Sequence, residues 1–123
     1  MPVYADEPHL RTNGPYPSGH TLLGWSSALL LSEINPDRAD TILARGLMYG
    51  DSRIIVGAHW QSDVNAARLA ASAAYARLHT SERFLEQMRL ARQEFRVKMG
   101  LATIIEMKAW KKAAAKRAKA ANR

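Results

Sequence analysis

The spacing of apolar residues along the chain predicts helices. Four of the five prolines precede residue 18, which indicates a loop over residues 1–19. From about Ser18 onward, apolar residues cover most of the circumference of a first helix, so we expect that helix to be buried. No segment shows the alternation of apolar and polar residues that is typical of strands, and the predicted fold class is therefore all-α.

Turn and cap residues predict the helices that follow. Asn35-Pro36 resembles an N-cap with proline in the first turn, which predicts a second helix that ends at Gly50. A short helix over residues 53–57 comes next, and a long helix follows His59 as far as residues 80–81. Beyond that break, apolar residues recur at helical spacing in one amphipathic stripe: Phe84, Met88, Ala91 and Phe95.

The positive charge is confined to the C-terminal end. The net charge is +7, from 18 Lys+Arg and 11 Asp+Glu, but seven of the basic residues lie from Lys108 onward, where no acid occurs. We therefore predict two units, residues 1–98 and an Ala/Lys-rich basic tail over residues 99–123. The rest of the chain is neutral, so bulk charge does not predict a nucleic-acid-binding fold. For the tail, a solvated helix is favoured over binding to nucleic acid or to an anionic membrane, because a charge run is a weak signal.

One cluster of candidate functional residues spans residues 17–21, and we call it the Ser-Gly-His motif. Ser18 and Gly19 stand at the start of a predicted helix, where backbone N–H groups and the helix dipole favour an anion. His20 follows in the first turn and can give or take a proton near neutral pH. The whole chain lacks cysteine, which excludes disulfides, thiolate metal sites and a cysteine nucleophile.

A second cluster spans residues 52–63, and we call it the Arg-His-Asp motif. His59 and Asp63 are four residues apart, which on a helix places them on one face, and a carboxylate there would fix the imidazole tautomer. Arg53 supplies a planar donor suited to phosphate. Each of these residues alone has an ordinary structural interpretation, but together the two motifs favour phosphoryl transfer through a phosphohistidine. His79 lies outside both motifs and is interpreted as incidental.

Both motifs match a known family. Pro17-Ser18-Gly19-His20 and Ser52-Arg53-x5-His59-x3-Asp63 resemble the second and third signatures of the type 2 phosphatidic acid phosphatase/vanadium haloperoxidase superfamily. The flanking residues, such as Asn13-Gly14-Pro15-Tyr16 and Trp60-Gln61-Ser62, are similar to those of bacterial class A non-specific acid phosphatases. The resemblance covers about residues 5–98, and it implies the helical bundle of that superfamily and hydrolysis of phosphomonoesters.

The resemblance also implies a role for each motif residue. His59 would be the nucleophile, Asp63 would orient it, and His20 would protonate the leaving group. Phosphate would be bound by Arg53 together with Ser18 and Gly19. The family needs neither a metal nor a cofactor for this reaction, and vanadate is expected to inhibit it as a phosphate mimic. The family is periplasmic; since the sequence begins without a signal peptide, we expect a cytoplasmic protein if this chain is the whole product.

The sequence departs from the family in two respects: residues 99–123 do not resemble the family's C-terminal end, and the first family signature is missing. The first family signature, Lys-x6-Arg-Pro, does not occur upstream of Pro17. We therefore expect a bundle truncated at its N-terminus, with an uncovered apolar helix that favours a homo-oligomer. Loss of one preorganised cation costs about 10²–10³ in rate, so the chain is either a weakened acid phosphatase or an inactive one. Two alternatives stay open: a non-catalytic remnant whose basic tail binds nucleic acid or anionic surfaces, and a vanadium-dependent haloperoxidase.

Overall fold

The computed structural model describes residues 16–123, and the loop predicted over residues 1–15 lies outside this range. The described residues form five α-helices and one 3-10 turn (Pro36–Arg38). The helices are α1 (Gly19–Ile34), α2 (Ala39–Ile55), α3 (Gln61–Leu78), α4 (Glu82–Lys98) and α5 (Ile104–Ala121). No strand occurs in this part of the chain, and the all-α prediction is confirmed. Among these five helices, none combines the length and the apolar character needed to span a membrane.

Hydroxyl side chains fix where three of the helices begin. The Ser18 side chain accepts a hydrogen bond from the N–H of Thr21 at the start of α1, at 3.2 Å. Ser81 and Thr103 do the same for α4 and α5, with N···O distances of 3.4 and 3.1 Å. These caps satisfy backbone donors that the first turn of a helix leaves without a partner. The predicted helix starts near residues 18 and 81 are therefore confirmed.

Helix α2 is longer than the sequence pattern predicts. Gly50 does not end the helix but lies buried inside it, and residues 53–55 belong to the same helix instead of forming a separate short one. A Cβ atom at Gly50 would lie 3.1 Å from both Thr21 Cγ2 and Val64 Cγ1, so the glycine allows α1, α2 and α3 to approach closely. The chain leaves the helix at Gly57, whose φ of 73° is in the left-handed region that glycine adopts most easily.

The core lies where α1 crosses α2 and α3. The buried apolar side chains of residues 16–123 are few, and all except Met88 on α4 are small: Ala28, Val64, Ala67, Ala71 and Met88. Helix α1 is less buried than its composition predicts, since Leu23 and Leu31 remain 65% and 51% exposed. The burial predicted for the first helix is therefore only partly found among residues 16–123: Thr21 and Ala28 are buried where α2, α3 and α4 contact α1, whereas these two leucines face outward.

Helices α4 and α5 form an antiparallel pair. A turn at Gly100, which has a φ of 68°, reverses the chain after α4. Arg96 near the end of α4 donates to both carboxylate oxygens of Glu106 near the start of α5, at 3.0 and 3.1 Å. At the other end of the pair, Arg117 lies 3.5 Å from the carboxylate of Glu86. The predicted helix propensity of the Ala/Lys-rich segment is confirmed, and its status as a separate unit beginning at residue 99 stays a prediction.

Candidate active site

The two motifs lie against each other at one end of the helical core. The backbone N–H of Ser18 donates to the backbone carbonyl of Asp63 at 3.2 Å. This bond joins the residue that caps α1 to a residue in the first turn of α3, although 45 positions separate them in the sequence. The N-terminal ends of α1 and α3 are therefore neighbours, and residues from both motifs lie at the same end of the fold.

Ser18 has a structural task within the Ser-Gly-His motif. Its side chain is fully buried, and its Oγ accepts from both the N–H and the hydroxyl of Thr21, at 3.2 and 2.9 Å. The hydroxyl thus holds the first turn of α1 in place. Gly19 is exposed, and a Cβ placed on it would meet none of residues 16–123 within 4 Å. Within this part of the chain, no side chain blocks an anion from the backbone at the N-terminus of α1.

His59 and Asp63 are close together, but they are not two residues of one helix. His59 precedes α3, Trp60 caps it, and Asp63 lies in its first turn. The Oδ2 atom of Asp63 accepts the backbone N–H of Trp60 at 2.8 Å and lies 3.6 Å from Nδ1 of His59. The two residues are therefore close, as predicted, but not because they lie one turn apart on the same helix. The carboxylate turns back to cap its own helix, and this brings it to the Nδ1 side of the imidazole.

Both groups of this pair are shielded from solvent. The side chain of Asp63 is 4% exposed and that of His59 is 12% exposed. A carboxylate buried to this extent needs hydrogen bonds or a charged neighbour. The N–H of Trp60 supplies that hydrogen bond, and the imidazole of His59 lies beside the same carboxylate oxygen at 3.6 Å.

Arg53 lies in the last turn of α2, and its backbone holds the segment that leads to His59. Its carbonyl oxygen accepts the N–H groups of Ala58 and His59, at 2.9 and 3.2 Å. Its Nε donates to Ser52 Oγ at 3.3 Å, and Ser52 in turn donates to the carbonyl of Tyr49 at 2.7 Å. The end of α2 thus carries the guanidinium and, through two backbone hydrogen bonds, anchors the short loop that carries the imidazole.

His20 lies in the first turn of α1 and is exposed. Its ring centroid lies 6.5 Å from that of Tyr49 on α2, with 35° between the planes. The position just after the Ser18 cap places His20 at the same end of the fold as the Arg-His-Asp motif. An exposed imidazole at that position can exchange protons with solvent, which a general acid and base requires.

The sequence analysis missed a second polar cluster, at the far end of α3. His79 donates from Nε2 to Glu33 at 2.8 Å and from Nδ1 to the carbonyl of Tyr75 at 2.7 Å, and the Tyr75 hydroxyl also donates to Glu33. His79 therefore has a structural role, and its interpretation as incidental to the proposed chemistry stays a prediction. Glu33 and His79 are 46 positions apart, so no local sequence signal could have paired them.

The contacts in this cluster shift the pKa values of all three of its titratable groups. Partial burial opposes the charged form of Glu33, but hydrogen bonds from Tyr75 and His79 outweigh it and lower the pKa of that carboxyl below its ordinary 4.5. The bond to the Tyr75 carbonyl, followed by the bond to Glu33, raises the pKa of His79 above 6.5. Burial and the bond to Glu33 raise the pKa of Tyr75 to about 12. The cluster therefore favours a charged His79–Glu33 pair at mildly acid pH.

A cleft of about 490 Å³ lies away from both motifs. It lies between α4 and α5, with Glu33 of α1 also in its lining, and includes no residue of either motif. Its polar lining is dominated by arginines, two of which already face glutamates: Arg89 with Glu86 and Arg96 with Glu106. Within residues 16–123, no three or more His, Asp and Glu side chains are grouped to bind a metal ion.

The comparison with known proteins agrees with the motifs. The profile of the PAP2 superfamily matches residues 2–84. A non-specific acid phosphatase of Providencia stuartii is 57% identical over 90 residues, which are 73% of this chain and 36% of that protein. An acid phosphatase of Zymomonas mobilis is 52% identical over 89 residues (72% and 34%), and a non-specific acid phosphatase of Salmonella typhimurium is 48% identical over 96 residues (78% and 38%). The chain spans little more than a third of the length of these relatives.

Proposed function

The chain belongs to the PAP2 superfamily, and on that premise we propose that it carries the catalytic motifs of an acid phosphatase that hydrolyses phosphomonoesters through a phosphohistidine. One observation carries this proposal: the hydrogen bond from Ser18 to the carbonyl of Asp63, which brings the Ser-Gly-His and Arg-His-Asp motifs together. The relatives at 48–57% identity are all named acid phosphatases, which supports the same activity for this chain.

His59 is the proposed nucleophile. The Asp63 carboxylate lies on the Nδ1 side of the imidazole, 3.6 Å away, and so favours a proton on Nδ1 and a lone pair on Nε2. Attack by Nε2 forms a nitrogen–phosphorus bond as the bond from phosphorus to the ester oxygen breaks. The imidazole ring becomes positively charged in this step, and the nearby carboxylate stabilises that charge.

His20 is the proposed general acid and base. In the first step it gives a proton to the departing ester oxygen, which leaves as an alcohol. In the second step it takes a proton from the water that attacks phosphorus. The nitrogen–phosphorus bond then breaks, which releases inorganic phosphate and restores His59.

Arg53 and the N-terminus of α1 are the proposed phosphate-binding elements. The guanidinium can bind two phosphoryl oxygens at once, and the open approach to Gly19 exposes backbone near the positive end of the helix dipole. Because Ser18 Oγ accepts from Thr21 and the Ser18 N–H donates to the Asp63 carbonyl, we assign Ser18 the role of holding the first turn of α1, on which Gly19 lies.

The test is hydrolysis of an aryl phosphate at mildly acid pH by the chain and by its His59→Ala variant. His79→Gln is the matched control, because it also removes an imidazole, but from the cluster at the far end of α3. We expect turnover that is blocked by vanadate, lost in His59→Ala and retained in His79→Gln. Equal turnover in the chain and in His59→Ala, or none in either, would refute the proposal for this chain. Vanadate-dependent oxidation of bromide would instead favour a haloperoxidase.

A second comparison tests the role of His20. An aryl phosphate with a strongly acidic phenol as its leaving group needs little protonation, whereas an alkyl phosphate needs it fully. We expect His20→Ala to lose about 10²–10⁴-fold on the alkyl ester and much less on the aryl ester. Equal losses on the two esters would assign His20 to binding or to structure.

A further inference from the structure

Helix α5 presents a defined basic face. The side that faces α4 is fixed by the Arg96–Glu106 and Arg117–Glu86 contacts, and Trp110, between these two points, lines the cleft. Four exposed lysines, spaced by four, four and three residues, lie within about 80° of one another on the opposite side. They are Lys108, Lys112, Lys116 and Lys119.

The same face begins with exposed apolar residues. Ile104 and Ile105 are 69% and 81% exposed, and they stand four and three residues before Lys108, which places them beside the lysine stripe. Met99 and Leu101, in the turn just before the helix, are 62% and 45% exposed. An apolar end therefore continues into a row of lysines roughly 16 Å long.

The positive charge of the chain is concentrated in the segment that forms α4 and α5. Residues 82–123 hold 12 basic and 4 acidic residues, whereas residues 1–81 hold 6 and 7. The chain thus has one strongly positive end and one nearly neutral end. A charge distribution of this kind orients the molecule toward an anionic surface.

We propose that the α5 face is a docking surface for an anionic lipid bilayer. Lysines bind lipid phosphates at the level of the headgroups, and the two isoleucines enter the boundary with the acyl chains. A nucleic acid would satisfy the lysines but would leave the isoleucines in water, so the apolar end selects the bilayer. The run of basic residues alone favours a solvated tail. The contacts between α5 and α4 support binding to a bilayer, because they fix which side of α5 faces outward. The phosphatase proposal is independent of this surface.

The experiment is co-sedimentation of the full chain with vesicles of phosphatidylcholine, with and without one third phosphatidylglycerol. The test variants replace the four stripe lysines by glutamine or both isoleucines by serine. The control replaces four exposed arginines elsewhere by glutamine, for the same change of charge: Arg38, Arg45, Arg77 and Arg83. Circular dichroism verifies that the helix content of each variant is unchanged.

We expect binding only to the anionic vesicles, with at least about tenfold weaker binding for the lysine variant and a clear loss for the isoleucine variant. The arginine control should bind within about twofold of the unaltered chain, and added salt should weaken binding. Absence of binding, equal binding to neutral vesicles, or an equal loss in the control would overturn the proposal. An unaffected isoleucine variant together with tighter binding to duplex DNA would identify nucleic acid as the partner instead.

Discussion

The contact between α1 and α2 at Gly46 makes a sharp prediction about stability. Gly46 is buried in the middle of α2, and a Cβ placed on it would lie 2.5 Å from Ala28 Cβ and 3.3 Å from Trp25 Cε3. Ordinary carbon–carbon contacts are about 3.5–4.0 Å, so Gly46→Ala requires a movement of about 1 Å. Ala28 Cβ is bonded directly to the backbone and cannot rotate away, so the two helices themselves must separate.

Two opposing effects set the change in the free energy of unfolding caused by Gly46→Ala. Alanine is about 1 kcal/mol more favourable than glycine inside a helix. Overpacking costs about 1–3 kcal/mol, and a rigid methyl-to-methyl clash belongs at the upper end of that range. We therefore expect a net loss of about 1–2 kcal/mol in the free energy of unfolding, or roughly 3–10 °C in melting temperature for a chain of this size.

Thermal and urea unfolding of the chain, of Gly46→Ala and of Gly19→Ala would test this reasoning. Gly19→Ala is the matched control, since a Cβ there meets no atom of the described residues within 4 Å. It should melt at or slightly above the temperature of the unaltered chain. The Gly46→Ala variant should also change its tryptophan fluorescence, because the Trp25 ring that it displaces donates to Ser72 at 2.9 Å. A Gly46→Ala variant as stable as the control would mean that α1 and α2 do not cross this closely.

Two further predictions concern hydrogen bonds. Ser18→Ala leaves both donors of Thr21 without their acceptor in a buried position, so it should lower the free energy of unfolding by about 1–3 kcal/mol. Urea unfolding should show a clearly smaller loss for Ser81→Ala, whose cap is exposed. Equal losses in the two variants would refute the assigned burial of Ser18. For His79→Gln, the stability lost should be greatest between pH 4.5 and 6.5, where Glu33 is ionised and His79 protonated in both states. The difference should shrink as the pH falls through the lowered folded pKa of Glu33 or rises through the raised folded pKa of His79, and a difference independent of pH would contradict the assigned ion pair.

Local chemistry explains what the sequence predicted correctly. Ser18 and Ser81 cap the helices that begin after them because the capping bond spans only three residues. The motif residues are likewise recognised from short spacings. The fold class follows from apolar periodicity that each helix carries by itself.

Contacts between distant segments explain what the sequence did not predict. Gly50 has the local pattern of a helix end, and only the crossing of α1, α2 and α3 makes it an interior residue. His79 becomes a hydrogen-bonded neighbour of Glu33 through the packing of α3 on α1. Apolar residues on most sides of α1 predict that the helix is buried, but the buried fraction of its side chains depends on how many helices pack against it.

Gly50 links the stability of the fold to the geometry of the proposed site. The two methyl groups that a Cβ at Gly50 would approach, at 3.1 Å, belong to Thr21 and Val64. Thr21 follows His20 in the chain and Val64 follows Asp63, so the three-helix contact lies directly beneath the residues proposed for catalysis. The spacing between the two motifs is therefore set by the absence of a side chain at this position. Gly46, one turn earlier, contacts Ala28 and Trp25 instead, so a methyl group there separates the same helices farther from the motifs.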